Sequence, residues 1–151
     1  MSHTDEADTV DDLGAKPFQL WHLIPPAMHG VLLNIQWDRE ALFRLCLPVE
    51  ELPLSELRWQ LDLPWWRAND RYFAVTPNEV RADRARYHAH WQRTLDADLR
   101  HPIHLLATTP VLRILDGVHR LLKADWSGER LIRACRVDRD QLKKIILPIY
   151  E

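Results

Sequence analysis

Residues 112–120, with the sequence LRILDGVHR, constrain the fold more than any other part of this chain. Leu112, Ile114 and Leu115 form a short β-prone apolar run, and apolar residues at helical spacing follow the polar turn. Gly117 permits a positive φ or a close backbone approach in that turn. A helix that starts here directs unpaired N–H groups and its positive dipole end at the turn. The segment therefore predicts a strand, a turn and an anion-binding helix N-terminus.

The composition bounds the class of protein. A chain of 151 residues is long enough for one domain with a real core. Its net charge of −2 gives no overall attraction to nucleic acid. Cys46 and Cys135 lie in no metal-binding or CxxC spacing, which disfavours a disulfide framework and fits a reducing cytoplasm. The N-terminus lacks the apolar core of a secretory signal, and no run approaches the roughly 18 apolar residues of a membrane span.

Three parts are predicted along the chain. Residues 1–16 are rich in acidic side chains and poor in apolar ones, which predicts a disordered acidic tail. Residues 17–46 are apolar but interrupted by Pro25, Pro26 and Gly30, so we expect an arm that packs onto the domain. Residues 47–151 are predicted to form one α/β (α+β) domain with a small mixed sheet and packed helices.

The sequence signals for individual helices and strands differ in strength along the chain. Thr76, Pro77 and Glu79 combine a helix cap, a first-turn proline and a capping-box acid, which predicts a helix from Thr76 to near Leu99. Residues 37–46 fit a short strand or a helix. The other predicted elements are a loop and then a short helix around residues 47–57, a brief strand at 73–75, a hairpin of strands 102–106 and 111–115, a helix at 117–126, a strand at 131–137 and a helix at 138–144.

The order of motifs in the second half resembles the ParB/sulfiredoxin superfamily. Pro102-Ile103 begins one strand, a second strand runs into Asp-Gly-Val-His-Arg at residues 116–120, and a helix and a strand at residues 131–137 follow. The resemblance covers roughly residues 47–146 and is best in the last fifty. It implies a small α/β domain in which the helix N-terminus receives nucleotide phosphates. The free serine kinases of this superfamily have a similar turn, which differs from this one only at Val118.

The same resemblance implies a set of site residues. Val118 stands where sulfiredoxins have their catalytic cysteine, which argues against sulfinic acid reduction. Asp116 is the candidate ligand of Mg²⁺ and the candidate acceptor of a proton from an attacking hydroxyl, although Asp-Gly is also a favoured turn pair. The predicted phosphate-binding residues are Asp116, Gly117, Val118, His119 and Arg120.

Each of these residues has an alternative role. His119 is a candidate donor to a phosphate oxygen, and Arg120 is a candidate bidentate clamp. Arg120 is equally suited to pairing with a structural carboxylate such as Asp125. Lys123 shares a helical face with His119, but a solvated surface lysine fits the sequence better.

Two further groups of residues are candidates from the first half of the domain. Glu56 comes soon after a Leu-Pro step, as a glutamate of the free serine kinases does, and is the candidate general base. Glu50 and Glu51 compete with it. The sequence also groups tryptophans beside arginines, a composition that suits either a core or a stacking wall for a base, at Trp59, Trp65 and Trp66.

Two functions follow as expectations. The first is a nucleotide-binding protein that acts as an ATP/ADP- or CTP-dependent phosphotransferase or NTPase on a small hydroxylated metabolite, with a nucleoside tri- or diphosphate and Mg²⁺. The alternative is a non-catalytic, nucleotide-sensing or DNA-associated regulatory module that uses the arginines of the helix from Thr76. A retained fold with an inactive site is a third possibility. Nothing in the sequence indicates a membrane partner, and none of it fixes the oligomeric state.

Overall fold

The computed structural model describes residues 13–107 and 111–149. The predicted acidic tail lies mostly outside the described residues, but its last four residues pack onto the rest of the chain. Leu13 is buried, Ala15 forms a β-bridge with Pro148, and the Lys16 amide donates to the Leu147 carbonyl. The packed chain therefore begins before residue 17.

The main sheet has four strands in the order β1-β6-β4-β5. The central pair β4 and β6 is parallel, whereas β1 pairs with β6 and β5 pairs with β4 in the antiparallel sense. A separate antiparallel pair, β2 and β3, turns through Asn69 and Asp70, which both have positive φ as a tight hairpin requires. The strands are β1 (Glu50–Pro53), β2 (Trp66–Ala68), β3 (Arg71–Val75), β4 (Ile103–Leu106), β5 (Arg113–Asp116) and β6 (Leu131–Val137).

Helices of the described residues pack around this sheet, so the fold is of the predicted mixed α/β class. The α-helices are α1 (Arg39–Arg44), α2 (Pro77–Ala82), α3 (His88–Asp96), α4 (Val118–Trp126) and α5 (Arg139–Ile145). The 3-10 helices are Trp21–Leu23, Pro26–Met28, Leu54–Glu56 and Arg58–Asp62. No helix within the described ranges is long and apolar enough to cross a membrane.

The single helix predicted from Thr76 to near Leu99 is in fact two helices. The predicted start is confirmed, because Thr76 and Glu79 form both hydrogen bonds of a capping box. The helix ends at Asp83, whose side chain accepts from the Arg86 amide and whose φ of −141° is not helical. An aspartate that bonds to nearby backbone competes with the helical ladder. Residues 83–87 therefore form a turn, and α3 begins at His88.

The segment around residues 50–53 is a strand, where the sequence predicted a loop. Leu52 is buried between exposed neighbours, and its partner across the ladder is Ile132. Pro53 fits here because β1 is an edge strand, where a missing N–H costs no ladder bond. Residues 37–46, for which strand and helix both fitted, contain helix α1 with Asp38 as its cap.

Two hydrophobic clusters lie on opposite faces of the main sheet. One packs β4 and β5 against α4 and includes Ile103, Ile114 and Leu121. The other brings the N-terminal arm against α5, where Leu42 contacts the cluster of Leu142 and Ile145. A third, smaller cluster lies within the arm. In the described residues the arm therefore packs against α5 and one face of the sheet.

A buried glutamine closes the outer edge of β5. Gln60 is fully buried, and its side-chain oxygen accepts from the Ile114 amide at 3.0 Å. Its side-chain nitrogen donates to the Leu112 carbonyl at 2.9 Å. One amide side chain thus satisfies two backbone groups that an edge strand otherwise leaves unpaired.

Candidate functional site

Gly117 joins β5 to α4 in a conformation that only glycine adopts easily. Its φ is +117°, and a Cβ atom placed there would lie 2.5 Å from Ile103 Cγ2 and 2.8 Å from Ile103 Cβ. Strand β4 therefore packs directly against the turn. Gly117 is also the N-cap of α4, and no described side chain caps that end of the helix. The first-turn amides of α4 remain available to a ligand.

A cleft of about 340 Å³ opens at this helix N-terminus; we call it the α4 cleft. Its walls come from α1, from the end of α3 with the loop that follows, and from the β5–α4 turn. It holds three arginines and three aspartates, so its charges are nearly balanced. The lining residues are Arg39, Arg93, Asp96, Ala97, Asp98, His101, Asp116, Gly117, Val118, His119 and Arg120.

Asp116 is held loosely by two arginines. Arg39 Nε lies 3.5 Å from Asp116 Oδ1, and Arg120 Nη1 lies 3.6 Å from Oδ2. Both distances exceed those of a charge-assisted hydrogen bond. Asp116 Oδ2 is buried and makes no hydrogen bond to a described residue. Arg120 also donates to the Pro102 carbonyl at 3.2 Å.

Asp125, the alternative partner for Arg120, lies at the other end of α4 with different partners. Arg58 and Arg81 each approach it to 2.6 Å. Burial alone raises the pKa of Asp125, but the hydrogen bonds from the two arginines outweigh burial, and the net pKa is lowered. The alternative of an Arg120–Asp125 pair is therefore wrong, because Arg120 turns towards the α4 cleft.

His119 lies in a stack of aromatic rings at the edge of the cleft. Its ring is 4.1 Å from that of Trp66 and nearly parallel to it, and His90 stacks on Trp66 at 4.7 Å. Burial, reinforced by the neighbouring His90, Arg93 and Arg39, lowers the pKa of His119 to about 3. The imidazole is therefore neutral at physiological pH.

The hydrogen bonds of the stack fix the tautomer of His119. His90 Nε2 lies 2.7 Å from the Arg67 carbonyl, which can only accept, so Nε2 carries the His90 proton. His90 Nδ1 then accepts from His119 Nε2 at 3.3 Å. The single proton of neutral His119 is thus committed to His90. The predicted donation from His119 to a phosphate does not fit this geometry, because the one N–H of the neutral ring already donates to His90.

No family model matches this chain, and neither a curated protein nor a solved structure matches it. Function is therefore inferred from the residues that the fold brings together.

The glutamates proposed as general base lie elsewhere. Glu50 binds Arg136 through two contacts of 3.0 and 3.1 Å, and this hydrogen bonding lowers the pKa of Glu50. Glu51 lines a separate groove along β6. Glu56 is near enough to raise the pKa of Arg136 by its charge. Among the described residues, none of these three glutamates lines the α4 cleft.

Two aspartates of the cleft were missed by sequence reasoning. Asp96 ends α3, and Asp98 follows it in the loop. Asp98 is held by the backbone and side chain of Arg100, which lower its pKa. Arg39 and Arg93 were also missed as cleft residues. The signal for Arg93 was its place in a helix rich in arginine, but nothing in the sequence indicates which arginine faces the turn.

Of the three tryptophans proposed as a stacking wall, Trp66 is the one that reaches the site. Trp59 donates to the Glu56 carbonyl and Trp65 to the Gln60 carbonyl, and both bonds are local. Lys123 is neither a phosphate ligand nor a free surface lysine. Its Nζ donates to the Leu95 and Ala97 carbonyls at 2.7 and 2.6 Å, which ties α4 to the C-terminal end of α3.

The cleft has no dense set of metal ligands. Within the described ranges, no three His, Cys, Asp or Glu side chains converge as a metal-holding group. The Asp116 carboxylate is flanked by two guanidinium groups, which compete with a cation for its oxygens. What the arrangement offers instead is a cluster of arginines and free amides, the donors that phosphate groups prefer.

Proposed function

We propose that this chain binds the phosphate groups of a nucleotide in the α4 cleft and acts as an ATP/ADP- or CTP-dependent phosphotransferase or NTPase on a small hydroxylated metabolite. One observation carries the proposal. The N-terminus of α4 has no described side-chain cap and opens into a cleft that also contains Arg39, Arg93 and Arg120. Oriented amides and arginines together stabilise the charge of a transferring phosphoryl group.

The arginines differ in how ready they are to bind a ligand. Arg93 is exposed and forms none of the ion pairs found in residues 13–107 and 111–149. The side chain of Arg39 is 68% exposed and touches Asp116 only at 3.5 Å. A phosphate group that binds Arg39 through two of its oxygens forms stronger hydrogen bonds than the long Asp116 contact that it displaces. The Asp116 carboxylate therefore occupies the position of the anion near Arg39, and ligand binding frees the carboxylate from Arg39.

The released carboxylate is the catalytic group of the proposal. Asp116 takes the proton from the attacking hydroxyl, a role that needs the side chain close to the bound phosphates. Asp116 is the residue that would hold Mg²⁺, which would neutralise charge on the phosphates of the nucleotide. Glu56 is left out of this mechanism because it lies outside the cleft lining.

Two broader proposals accompany this one. Membership of the ParB/sulfiredoxin superfamily is supported by the strand–glycine–helix arrangement at residues 113–126, with β4 packed against the turn. A cytoplasmic location is supported by the two free thiols, one exposed and one buried.

The alternative of a DNA-associated module is less well supported. Arg81 binds Asp125, Arg84 lies over the rings of Trp91 and Trp126, and Arg86 lies over Tyr87. Arg81 is held by an ion pair and is not free for a DNA backbone, whereas Arg84 and Arg86 are exposed and lie over aromatic rings, as Arg39 does over Phe43.

Calorimetry with ATP, ADP and CTP, with and without Mg²⁺, together with a phosphate-release assay, tests the proposal. We expect binding of at least one nucleotide. The double variant Arg39→Ala, Arg93→Ala is expected to weaken that binding about 100-fold, since two charged contacts are lost. The control with the same charge change, Arg130→Ala, Arg133→Ala, removes arginines of the separate groove and keeps wild-type affinity.

Absence of binding for every nucleotide would overturn the proposal. If both double variants weakened nucleotide binding equally, the binding would be a nonspecific effect of charge and the α4 cleft would not be its site. Salt-dependent DNA binding that is lost on Arg84→Ala, Arg86→Ala, with no nucleotide binding, would favour the regulatory alternative.

A further inference from the structure

We propose that His119 is itself phosphorylated, with its Nδ1 atom accepting the terminal phosphoryl group of the nucleotide before the group passes to the final acceptor. The inference rests on the proposed function in one respect, because the nucleotide in the α4 cleft is the physiological donor. It adds a covalent intermediate and assigns new roles to His90 and Trp66.

The first step of the case is the state of Nδ1. His119 Nε2 donates to His90, so Nδ1 of the neutral ring carries a lone pair. No described residue hydrogen-bonds to this atom. Nδ1 is therefore unpaired among the described residues and not completely buried, on a residue that lines the cleft.

The second step is that the ring is held in one orientation. Trp66 packs flat against His119 at 4.1 Å with an interplanar angle of 11°. His90, itself fixed by the Arg67 carbonyl, anchors the far edge of the ring at Nε2. A nucleophile held in this way does not have to be ordered in the transition state.

The third step is the charge around the ring. Burial is the main cause that lowers the pKa of His119 to about 3, and Arg93 and Arg39 are close enough to add to it, so the lone pair stays unprotonated. Both arginines line the cleft with His119, and we expect their charges to favour a phosphoryl group on its ring. The uncapped first turn of α4, to which His119 belongs, adds backbone donors.

The chemistry balances with the groups present. In the first step the Nδ1 lone pair forms the N–P bond, the P–O bond to the nucleoside diphosphate breaks, and its electrons leave with the diphosphate. The Nε2 proton of His119 moves to His90 Nδ1, and the resulting His90 cation keeps its other N–H on the Arg67 carbonyl.

In the second step an acceptor hydroxyl attacks phosphorus and gives its proton to Asp116. The N–P bond breaks, its electrons return to Nδ1, and His90 returns the proton to Nε2. Asp116 releases its proton to solvent, so each cycle restores the neutral stack and the ionised carboxylate. His90 does not touch the reacting atoms and is a positioning residue.

The test uses the full chain with two phosphoryl donors, terminally labelled ATP with Mg²⁺ and phosphoramidate, a small donor that needs no nucleotide site. Phosphohistidine is labile in acid and stable in alkali, so these treatments and peptide mass spectrometry identify the label. We expect label on His119, none in His119→Gln, and wild-type labelling in the control His88→Gln, an exposed histidine of the same helix as His90. Circular dichroism checks that each variant is folded, and the mapping on the wild-type chain does not depend on any variant.

The positioning role of His90 has its own readout. His90→Leu removes the acceptor for Nε2 and is expected to slow labelling by phosphoramidate about 10-fold without changing nucleotide affinity. His90→Asn keeps an acceptor near the same point and restores part of the rate. Equal rates in wild type and His90→Leu would overturn this role.

The outcomes separate the two proposals. Nucleotide binding without label from either donor overturns the phosphohistidine and leaves the proposed function intact. Label from phosphoramidate on His119 without nucleotide binding supports the phosphoryl acceptor and overturns the nucleotide function. Failure of both binding and labelling overturns both.

Discussion

The two ends of α4 carry the same kinds of charged residue in opposite states. At the C-terminal end, Arg58 and Arg81 hold Asp125 at 2.6 Å. At the N-terminal end, Arg39 and Arg120 stand 3.5 and 3.6 Å from Asp116, one of whose oxygens is left without a hydrogen bond. In the first arrangement both carboxylate oxygens of Asp125 are paired, although Arg81 Nε makes no hydrogen bond to a described residue, and the two ion pairs stabilise the fold. The second is incomplete, which is the state expected where a ligand supplies the missing contacts.

The largest effect expected from this comparison concerns the two aspartates, because the proposed turnover depends on one of them. Asp125→Asn removes the charge from a side chain that is only 14% exposed and that pairs with two arginines at 2.6 Å, and we expect the free energy of unfolding to fall by about 2 kcal/mol. Asp116→Asn is expected to stay within about 1 kcal/mol of wild type, because its contacts are long. Urea denaturation measures both.

The Asp116→Asn variant also distinguishes phosphate binding from turnover. Asp116→Asn removes the internal competitor for Arg39, so phosphate binding should tighten while turnover is lost. A fall in stability for Asp116→Asn as large as that for Asp125→Asn would mean that both ends of α4 are structural.

The glycines that flank α4 give the next largest effect. Gly117→Ala places a methyl group against Ile103 at a φ of +117°, and we expect a loss of about 3 kcal/mol from steric overlap and backbone strain. Gly128, beyond the other end, also has a positive φ, but a Cβ there meets nothing within 4 Å. Gly128→Ala should therefore cost only about 1 kcal/mol. Thermal or urea unfolding distinguishes them, and Gly30→Ala, with open space and no positive φ, serves as a neutral control.

The pH dependence of stability should also differ between the two ends. The pKa of His119 is lowered in the folded state to about 3, so stability is present above the unfolded pKa of about 6.5 and is lost as pH falls towards 3. Between pH 7 and pH 5 this amounts to about 2 kcal/mol. Asp125, whose pKa is lowered, stays ionised over that interval. Unfolding curves of wild type and His119→Gln at both pH values test this, since only the wild type should show the full loss; equal slopes would contradict it.

The smallest expected effect compares two arginines. Arg81→Ala removes one of two ligands of Asp125 and should lower the free energy of unfolding by about 1 kcal/mol. Arg93→Ala, at an exposed position in the α4 cleft, should change it by less than about 0.5 kcal/mol. Destabilisation by Arg93→Ala beyond Arg81→Ala would mean that Arg93 has a structural partner at the cleft.

Local signals made part of this fold predictable. The capping box at Thr76 and the strand Leu131–Val137 follow from residue types within a few positions of each other, and both are confirmed. The hairpin of β4 and β5 is confirmed for the same reason. Strand β1 was missed because a four-residue edge strand with a terminal proline has the composition of a loop. The turn at residues 83–87 was missed because it contains neither glycine nor proline.

The candidate site was less accessible from sequence. The turn at Gly117 was found because its chemistry is contiguous in the chain, and the φ and the Ile103 contact agree with the expected need for glycine. The stack of Trp66, His90 and His119 joins three separate elements, and only the packing of those elements decides that they meet. The tautomer of His119 depends in turn on a backbone carbonyl of a further residue, Arg67. Chemistry set by such long-range contacts leaves no local pattern.

The buried amide of Gln60 has a consequence for association between copies of the chain. An exposed edge strand is a template for pairing with another strand, and proteins that leave such edges open tend to aggregate. Gln60 already occupies the Ile114 amide and the Leu112 carbonyl, so an incoming strand finds neither partner free at the start of β5. Edge-to-edge pairing of strands at this position is therefore disfavoured by one fully buried side chain.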